Sequence, residues 1–181
     1  RQRQMCIRDS NIGNIEVVVF ILDFNFMGGS MGAQVGQGIV KATQLAKEKK
    51  SPLLIISSSG GARMQESAIA LMQMTRSVLG VHELKKAILP YIVVMTNPTA
   101  GGVTASFAGL GDISIGEPKA IIAFAGRRVI QDTVKEELPE EFQTAEFVLD
   151  HGFLDFITHR KDLKKKINLY LDLILNNPIR E

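Results

Sequence analysis

Apolar residues in this chain gather in short β-branched runs that alternate with longer stretches of helical spacing. Residues 15–24, I-E-V-V-V-F-I-L-D-F, predict a largely buried strand. A glycine-rich loop follows at Met27-Gly28-Gly29-Ser30-Met31-Gly32, then a helical stretch to about Lys50, which Ser51-Pro52 breaks. Residues 53–56 predict a second buried strand, closed by the turn Ser57-Ser58-Ser59-Gly60-Gly61. A long helix is predicted over 64–87. Leu71, Met74, Val78 and Val81 fall on one stripe, and Ala68, Met72, Thr75 and Leu79 widen it. Its methionines read as flexible core filling. Residues 91–95 predict a third strand, followed by a turn over 96–102 and a short helix of small residues over 103–110. Short strands over 112–115 and 120–124 flank Glu117-Pro118; helices over 126–137 and from 142 to 150 flank Pro139. A short strand over 154–157 precedes an amphipathic C-terminal helix marked by Leu163, Ile167, Tyr170, Leu171 and Ile174.

Strand, glycine turn and helix recur in that order, the signature of an α/β protein. A length of 181 residues suits one domain, and 45% apolar with 22% charged residues makes it globular. Residues 1–10, R-Q-R-Q-M-C-I-R-D-S, show neither period and are set aside as a foreign or disordered leader, leaving residues 11–181 as the domain. A net charge of +2 gives no electrostatic reason to expect nucleic acid or an anionic membrane. The apolar run over 17–22 is far too short to span a bilayer, so a cytoplasmic protein is expected. The single cysteine, Cys6, excludes an internal disulfide framework and a multi-cysteine zinc site in these residues. Lys161 and Lys164 to Lys166 read as a solvated helix face.

Two strand-to-helix junctions carry paired glycines: Gly60-Gly61 opens the long helix and Gly101-Gly102 the short one. Helix N-terminal N–H groups have no partner within the helix and can hold a phosphate or a developing oxyanion. Either pair alone reads as a tight turn. Two on successive strands lie together at the strand C-terminal ends, where α/β proteins bind ligands.

Other chemistries fit less well. The glycines between 28 and 38 do not form a phosphate loop ending in G-K-[ST], and Gly36 and Gly38 are explained by close helix packing. Ser57, Ser58 and Ser59 lack the G-x-S-x-G frame, and His82, His151 and His159 have no triad or metal spacing.

Specific residues carry a resemblance. The segments 26–32 (F-M-G-G-S-M-G), 59–66 (S-G-G-A-R-M-Q-E) and 71–74 (L-M-Q-M) resemble the β subunits of bacterial acetyl-CoA carboxylase carboxyltransferase. So do 98–103 (P-T-A-G-G-V), 105–107, 110–112, 117–120 and 124–126. The resemblance runs in order from about Phe20 to about Leu175. It implies a crotonase-like α/β fold, a superhelix of ββα units with the active site at a subunit interface. It further implies carboxyl transfer from carboxybiotin, held on a biotin carboxyl carrier protein, to acetyl-CoA, giving malonyl-CoA for fatty acid synthesis. Biotin would thus arrive on a partner. The implied partners are the carboxyltransferase α subunit, the carrier protein and biotin carboxylase.

By the same resemblance, the Gly101 and Gly102 N–H groups are expected to stabilise the thioester oxyanion. Gly60, Gly61 and Ala62, the second choice for that role, are expected to shape the same pocket and the CoA thioester and adenine side; the reverse assignment of the two glycine pairs is the alternative. Arg63 and Arg128 are candidates for CoA phosphates, with Glu66 and Glu117 as their partners if they are instead structural. The family's N-terminal four-cysteine zinc ribbon has no counterpart here, so zinc is expected only in a ribbon preceding this segment. Arg127 stands where the family commonly has Pro, while Arg128 and Val129 keep the pattern. Two other readings are a crotonase-like or Clp-like hydrolase using Ser58 or Ser59, and a non-catalytic assembly subunit. Another acyl-CoA carboxylase, of the propionyl-CoA type, is the nearest alternative substrate class.

Overall fold

The computed structural model describes residues 4–176 apart from residue 136. One mixed sheet forms its centre. β1 (Met5–Ile12) runs antiparallel to β2 (Ile15–Leu22). Beyond β2 the sheet is parallel: β3 (Leu53–Ser59), β4 (Tyr91–Ala100), β5 (Ile113–Gly116) and β7 (Phe156–Ile157) follow in sequence order. β6 (Ile122–Ala123) pairs with the far end of β4, at Thr99 and Ala100. α1 (Ala33–Lys49) connects β2 to β3, and α2 (Ser67–Lys86) connects β3 to β4. α3 (Arg127–Val134), α4 (Ala145–Asp150) and α5 (Arg160–Asn176) complete the chain.

Strand alternation splits the core in two. Phe20, Ile55, Val93 and Met95 face α1 and join Val35, Ile39, Val81 and Leu84 in the larger cluster. Leu54, Ile92, Val94 and Ile115 face the other way, onto Leu163, Ile167 and Leu171 of α5. β3 and β4 are covered on both sides, which is why they read as continuous apolar runs. Each such buried side chain contributes roughly 1.5–3 kcal/mol relative to exposure.

Three expectations change. Met5 to Ser10, within the ten residues set aside as a leader, pair with β2, continuing the strand that Asn11 and Ile12 complete. β4 runs on through the predicted turn to Ala100, carrying its end up to the second glycine pair. Finally, α2 turns inward a face that the predicted stripe only partly shares: Val81 is buried and Met74 and Val78 are half-buried, but Leu71 is exposed. Its buried residues are Ala70, Gln73, Ser77, Gly80, Val81 and Leu84, whereas Leu71, Met72 and Leu79 are exposed and Met64, just before it, is 88% exposed. Small residues win the inner face because α1 lies so close. A Cβ on Gly36 would fall 2.1 Å from Gln73 Oε1, and one on Gly80 would fall 3.2 Å from Thr43 Oγ1. Gly36 and Gly38 thus pack closely, as the sequence suggested. The core-filling role holds in part for Met74, which packs against the core, and not for Met64 or Met72.

Candidate active site

The two glycine pairs meet at the C-terminal ends of β3 and β4. A Cβ on Gly101 would lie 3.2 Å from Gly61 Cα, and one on Gly61 would lie 3.4 Å from Ala100 O and 3.5 Å from Gly102 N. Both residues have positive φ, +117° at Gly61 and +62° at Gly101, so side chains are disfavoured there by conformation as well as by space.

A hydrogen-bond count separates the N–H groups at this junction. Gly60 donates to Gly28 O at 2.9 Å, and Gly61 to Ser59 Oγ at 3.1 Å. Arg63 donates to Met31 O at 2.9 Å, and Gly101 to Ala123 O at 2.9 Å. Among the described residues, the N–H groups of Ala62 and Gly102 have no such acceptor. Their orientation follows from the carbonyls in the same peptides. Gly61 O accepts from Met31 N at 2.8 Å. Gly101 O accepts from Ala105 N at 3.1 Å and Thr104 Oγ1 at 2.9 Å. In a trans peptide the N–H points opposite to the C=O. Ala62 N–H therefore points away from the 28–33 loop, and Gly102 N–H away from the turn that follows it. The pair expected at Gly101 and Gly102 thus contributes one free donor, at Gly102; the other lies at Ala62.

The turn after Gly102 is pinned by its own side chains. Ser106 Oγ donates to Gly102 O at 2.5 Å, and Thr104 Oγ1 lies 2.6 Å from Ala123 O. Fully buried Tyr91 donates its hydroxyl to Phe107 O at 2.8 Å, and burial pushes that phenol well above its ordinary value.

The loop over 28–33 is laced to the residues after β3. Gly29 (φ +63°) is required here, because its Cβ would sit 1.9 Å from Ser58 O. Arg63 is only 7% exposed. Its Nε and one terminal nitrogen donate to Ser30 Oγ (3.0 Å) and Ser30 O (2.9 Å), the other terminal nitrogen to Glu66 Oε1 (2.8 Å), and its guanidinium lies over the Phe26 ring. Glu66 Oε2 accepts Ala33 N–H at 2.7 Å, filling the role of a cap at the start of α1. That N–H, and after it the guanidinium, holds the Glu66 carboxyl below its ordinary range against the opposing effect of burial. Arg63 is thereby turned inward as a structural cation, with Glu66 the partner the sequence offered. Glu117 pairs with Arg160 through two bonds of 2.7 and 2.8 Å. Arg128 lies in α3; its side chain is outside the described residues. Arg127 donates to Leu138 O at 2.7 Å and Glu140 O at 3.0 Å, tying α3 to the next loop.

Ser57, Ser59 and His151 are engaged with neighbouring groups, and Ser58 lines a cleft with Thr96, Glu117 and Arg160. Ser59 Oγ is occupied by Gly61 N–H, Ser57 Oγ is buried against Thr99, and His151 bonds to Phe147 O. None of the described residues forms a cluster of three or more His, Cys, Asp or Glu that could hold a metal. Sequence reasoning missed an apolar pocket of about 350 Å³ beside the second glycine loop, lined by Thr104, Ala105, Phe124, Phe147, His151 and Phe153 among others. Phe124, 70% exposed, is its clearest sequence trace.

Comparison with known proteins decides the family. The carboxyl transferase domain matches residues 10–165. The chain belongs to the carboxyl transferase family. It is 57% identical over 165 residues to the acetyl-coenzyme A carboxylase carboxyl transferase subunit beta of Flavobacterium psychrophilum, covering 91% of this chain and 58% of the relative. The corresponding protein of Christiangramia forsetii is 54% identical over 175 residues, covering 97% of this chain and 61% of that one. The chain thus spans about three fifths of the length of these relatives. Among solved structures, transcarboxylase 12S with hydrolysed methylmalonyl-coenzyme A bound superposes with a TM-score of 0.84 at 27% identity, over 93% of this chain and 33% of that one. The Pseudomonas malonate decarboxylase MdcD-MdcE heterodimer gives a TM-score of 0.80 at 22% identity, over 92% and 75%, a likeness of fold. The crotonase-like α/β fold expected from the sequence stands.

Proposed function

We propose that this chain is the catalytic core of an acetyl-CoA carboxylase carboxyltransferase β subunit. It moves the carboxyl group of carboxybiotin to acetyl-CoA, forming malonyl-CoA in the cytoplasm for fatty acid synthesis. The observation that carries this reading is the pair of N–H groups at Ala62 and Gly102, unengaged among the described residues and each in a peptide whose carbonyl is tied down. A reaction that removes a proton from the acetyl methyl group places negative charge on the thioester oxygen. Two fixed N–H donors oppose that charge without reorganising, and loss of one typically costs about 10²–10³ in rate. Gly60 and Gly61 serve by close backbone approach, since their own N–H groups are engaged.

No general base is required of this chain. Carboxybiotin arriving on the carrier protein would supply the carboxyl group and, with its N–carboxyl bond broken, a basic nitrogen able to take the methyl proton. The Ala62 and Gly102 donors hold the thioester oxygen while the methyl carbon attacks. Arg128 is assigned to CoA phosphate, a role for which Arg63 is poorly placed, its guanidinium being buried and bonded to Ser30 and Glu66.

The working enzyme includes the α subunit, biotin carboxylase and the carrier protein. An apolar outer face on α2, with Ala68, Leu71, Met72 and Leu79 exposed and Met64 before it, supports burial against the α subunit. The test is malonyl-CoA formation from acetyl-CoA and carboxybiotin by this chain mixed with its α subunit. Activity only in the mixture supports the reading; an active chain alone, or an inactive but well-formed complex, contradicts it.

A further inference from the structure

The free N–H of Ala62 sits between two fastened residues, and the fastening converges on one carboxylate. We propose that Glu66 is a positioning residue that sets the Ala62 N–H against the Gly102 N–H. The proposal rests on the oxyanion role just given to these two groups.

Glu66 joins three segments. One oxygen holds Arg63, the residue next to Ala62; the other holds the first N–H of α1. Arg63 carries the link onward to both oxygens of Ser30, and its backbone N–H to Met31 O. Met31 N–H in turn holds Gly61 O, the carbonyl of the very peptide whose N–H is Ala62's. The orientation of that N–H is therefore set by a closed loop of bonds: Glu66 to Arg63, Arg63 to residues 30–31, Met31 to Gly61.

Two further features indicate that the loop is held under constraint. Arg63 is buried, and a buried guanidinium that loses its counter-charge must move or draw in water. Ser67, directly after Glu66, has φ +46° and ψ −128°, a backbone state that a serine keeps only when its surroundings impose it. Space is equally tight on the α1 side, where a Cβ on Gly32 would fall 2.3 Å from Glu66 Oε1. A neutral side chain at 66 keeps the size but loses the attraction that holds Arg63 and the α1 terminus together. The Ala62 peptide is then free to rotate away from the oxyanion.

The experiment measures kcat, KM for acetyl-CoA and CoA affinity for the full chain reconstituted with its α subunit, as wild type, Glu66→Gln, and the double variant Arg63→Met/Glu66→Leu. The double variant replaces the ion pair of buried Arg63 and half-buried Glu66 with apolar groups, so that no guanidinium is left buried without its counter-charge. In both, kcat should fall at least about tenfold while KM and CoA affinity stay within about twofold, as expected when donors shift by a fraction of about 1 Å. Glu66→Asp, which keeps the charge, should recover part of the loss. A melting temperature that drops while kcat holds below the transition, in either variant, makes Glu66 merely structural and overturns the proposal. Unequal loss confined to KM does the same. An inactive wild-type complex would instead overturn the carboxyltransferase reading on which the proposal rests.

Discussion

Ala62 and Gly102 lie across a gap that a single methyl group would close: a Cβ on Gly102 would sit 3.5 Å from Ala62 Cβ and 3.1 Å from Met74 Sδ. Forty residues separate them in sequence. They meet because β3 and β4 are parallel neighbours in register from Leu53–Tyr91 to Ser57–Met95, so the turns leaving both strands emerge at one edge. Each contributes a peptide whose carbonyl is tied down and whose N–H is not.

The loop behind Ala62 should be intolerant of side chains. Gly29→Ala faces both a positive φ and Ser58 O at 1.9 Å. The cost should be about 3 kcal/mol or more, a fall of roughly 10 °C in melting temperature. Differential scanning calorimetry checks this, and an unchanged transition would show that the loop moves freely.

Acid should expose the Glu66 contribution. Its carboxyl is held below the ordinary 4.5, chiefly by the Ala33 N–H and then by Arg63. A depressed folded value means stability that is present above 4.5 and is lost as pH falls through the window beneath it. Wild type should therefore lose stability relative to Glu66→Gln on acidification through that window, and the two should be separated by a constant amount above it. Urea titrations across the acid range measure the difference; parallel curves throughout would contradict it.

The outer face of α2 should govern assembly rather than folding. Leu71 is 60% exposed and Met72 69%, so Leu71→Glu and Met72→Lys should change the stability of the isolated chain by no more than about 0.5 kcal/mol. Both should weaken association with the α subunit in size-exclusion chromatography. Undiminished association would move that interface elsewhere on the surface.

Much of the fold was legible because β2, β3 and β4 are apolar runs closed by glycine, and a strand covered on both faces has few other ways to read. The face of α2 was not. Leu71, Met72 and Leu79 of its apolar surface point outward, and the nearness of α1 at Gly36 and Gly80 explains why small and polar residues fill much of the inner face. Residues 5–12 lack clear alternation, yet the tight turn at Gly13 and Asn14 lays them along β2. At the site, the glycine pairs located the junction but not its donors. Which N–H is free depends on Ser59, Met31 and Ala123, acceptors or carbonyl anchors that no spacing rule identifies. The inward turn of Arg63 likewise depends on Ser30, thirty-three residues away.

The central claim is that Gly102 N–H, opposite Ala62 N–H, stabilises charge that appears only in the transition state. Steady-state kinetics of Gly102→Ala in the reconstituted pair with the α subunit tests it most directly, with assembly verified by sizing. The account predicts a loss of about 10²-fold or more in turnover with a much smaller rise in KM for acetyl-CoA. Wild-type turnover in a correctly assembled Gly102→Ala complex would contradict it.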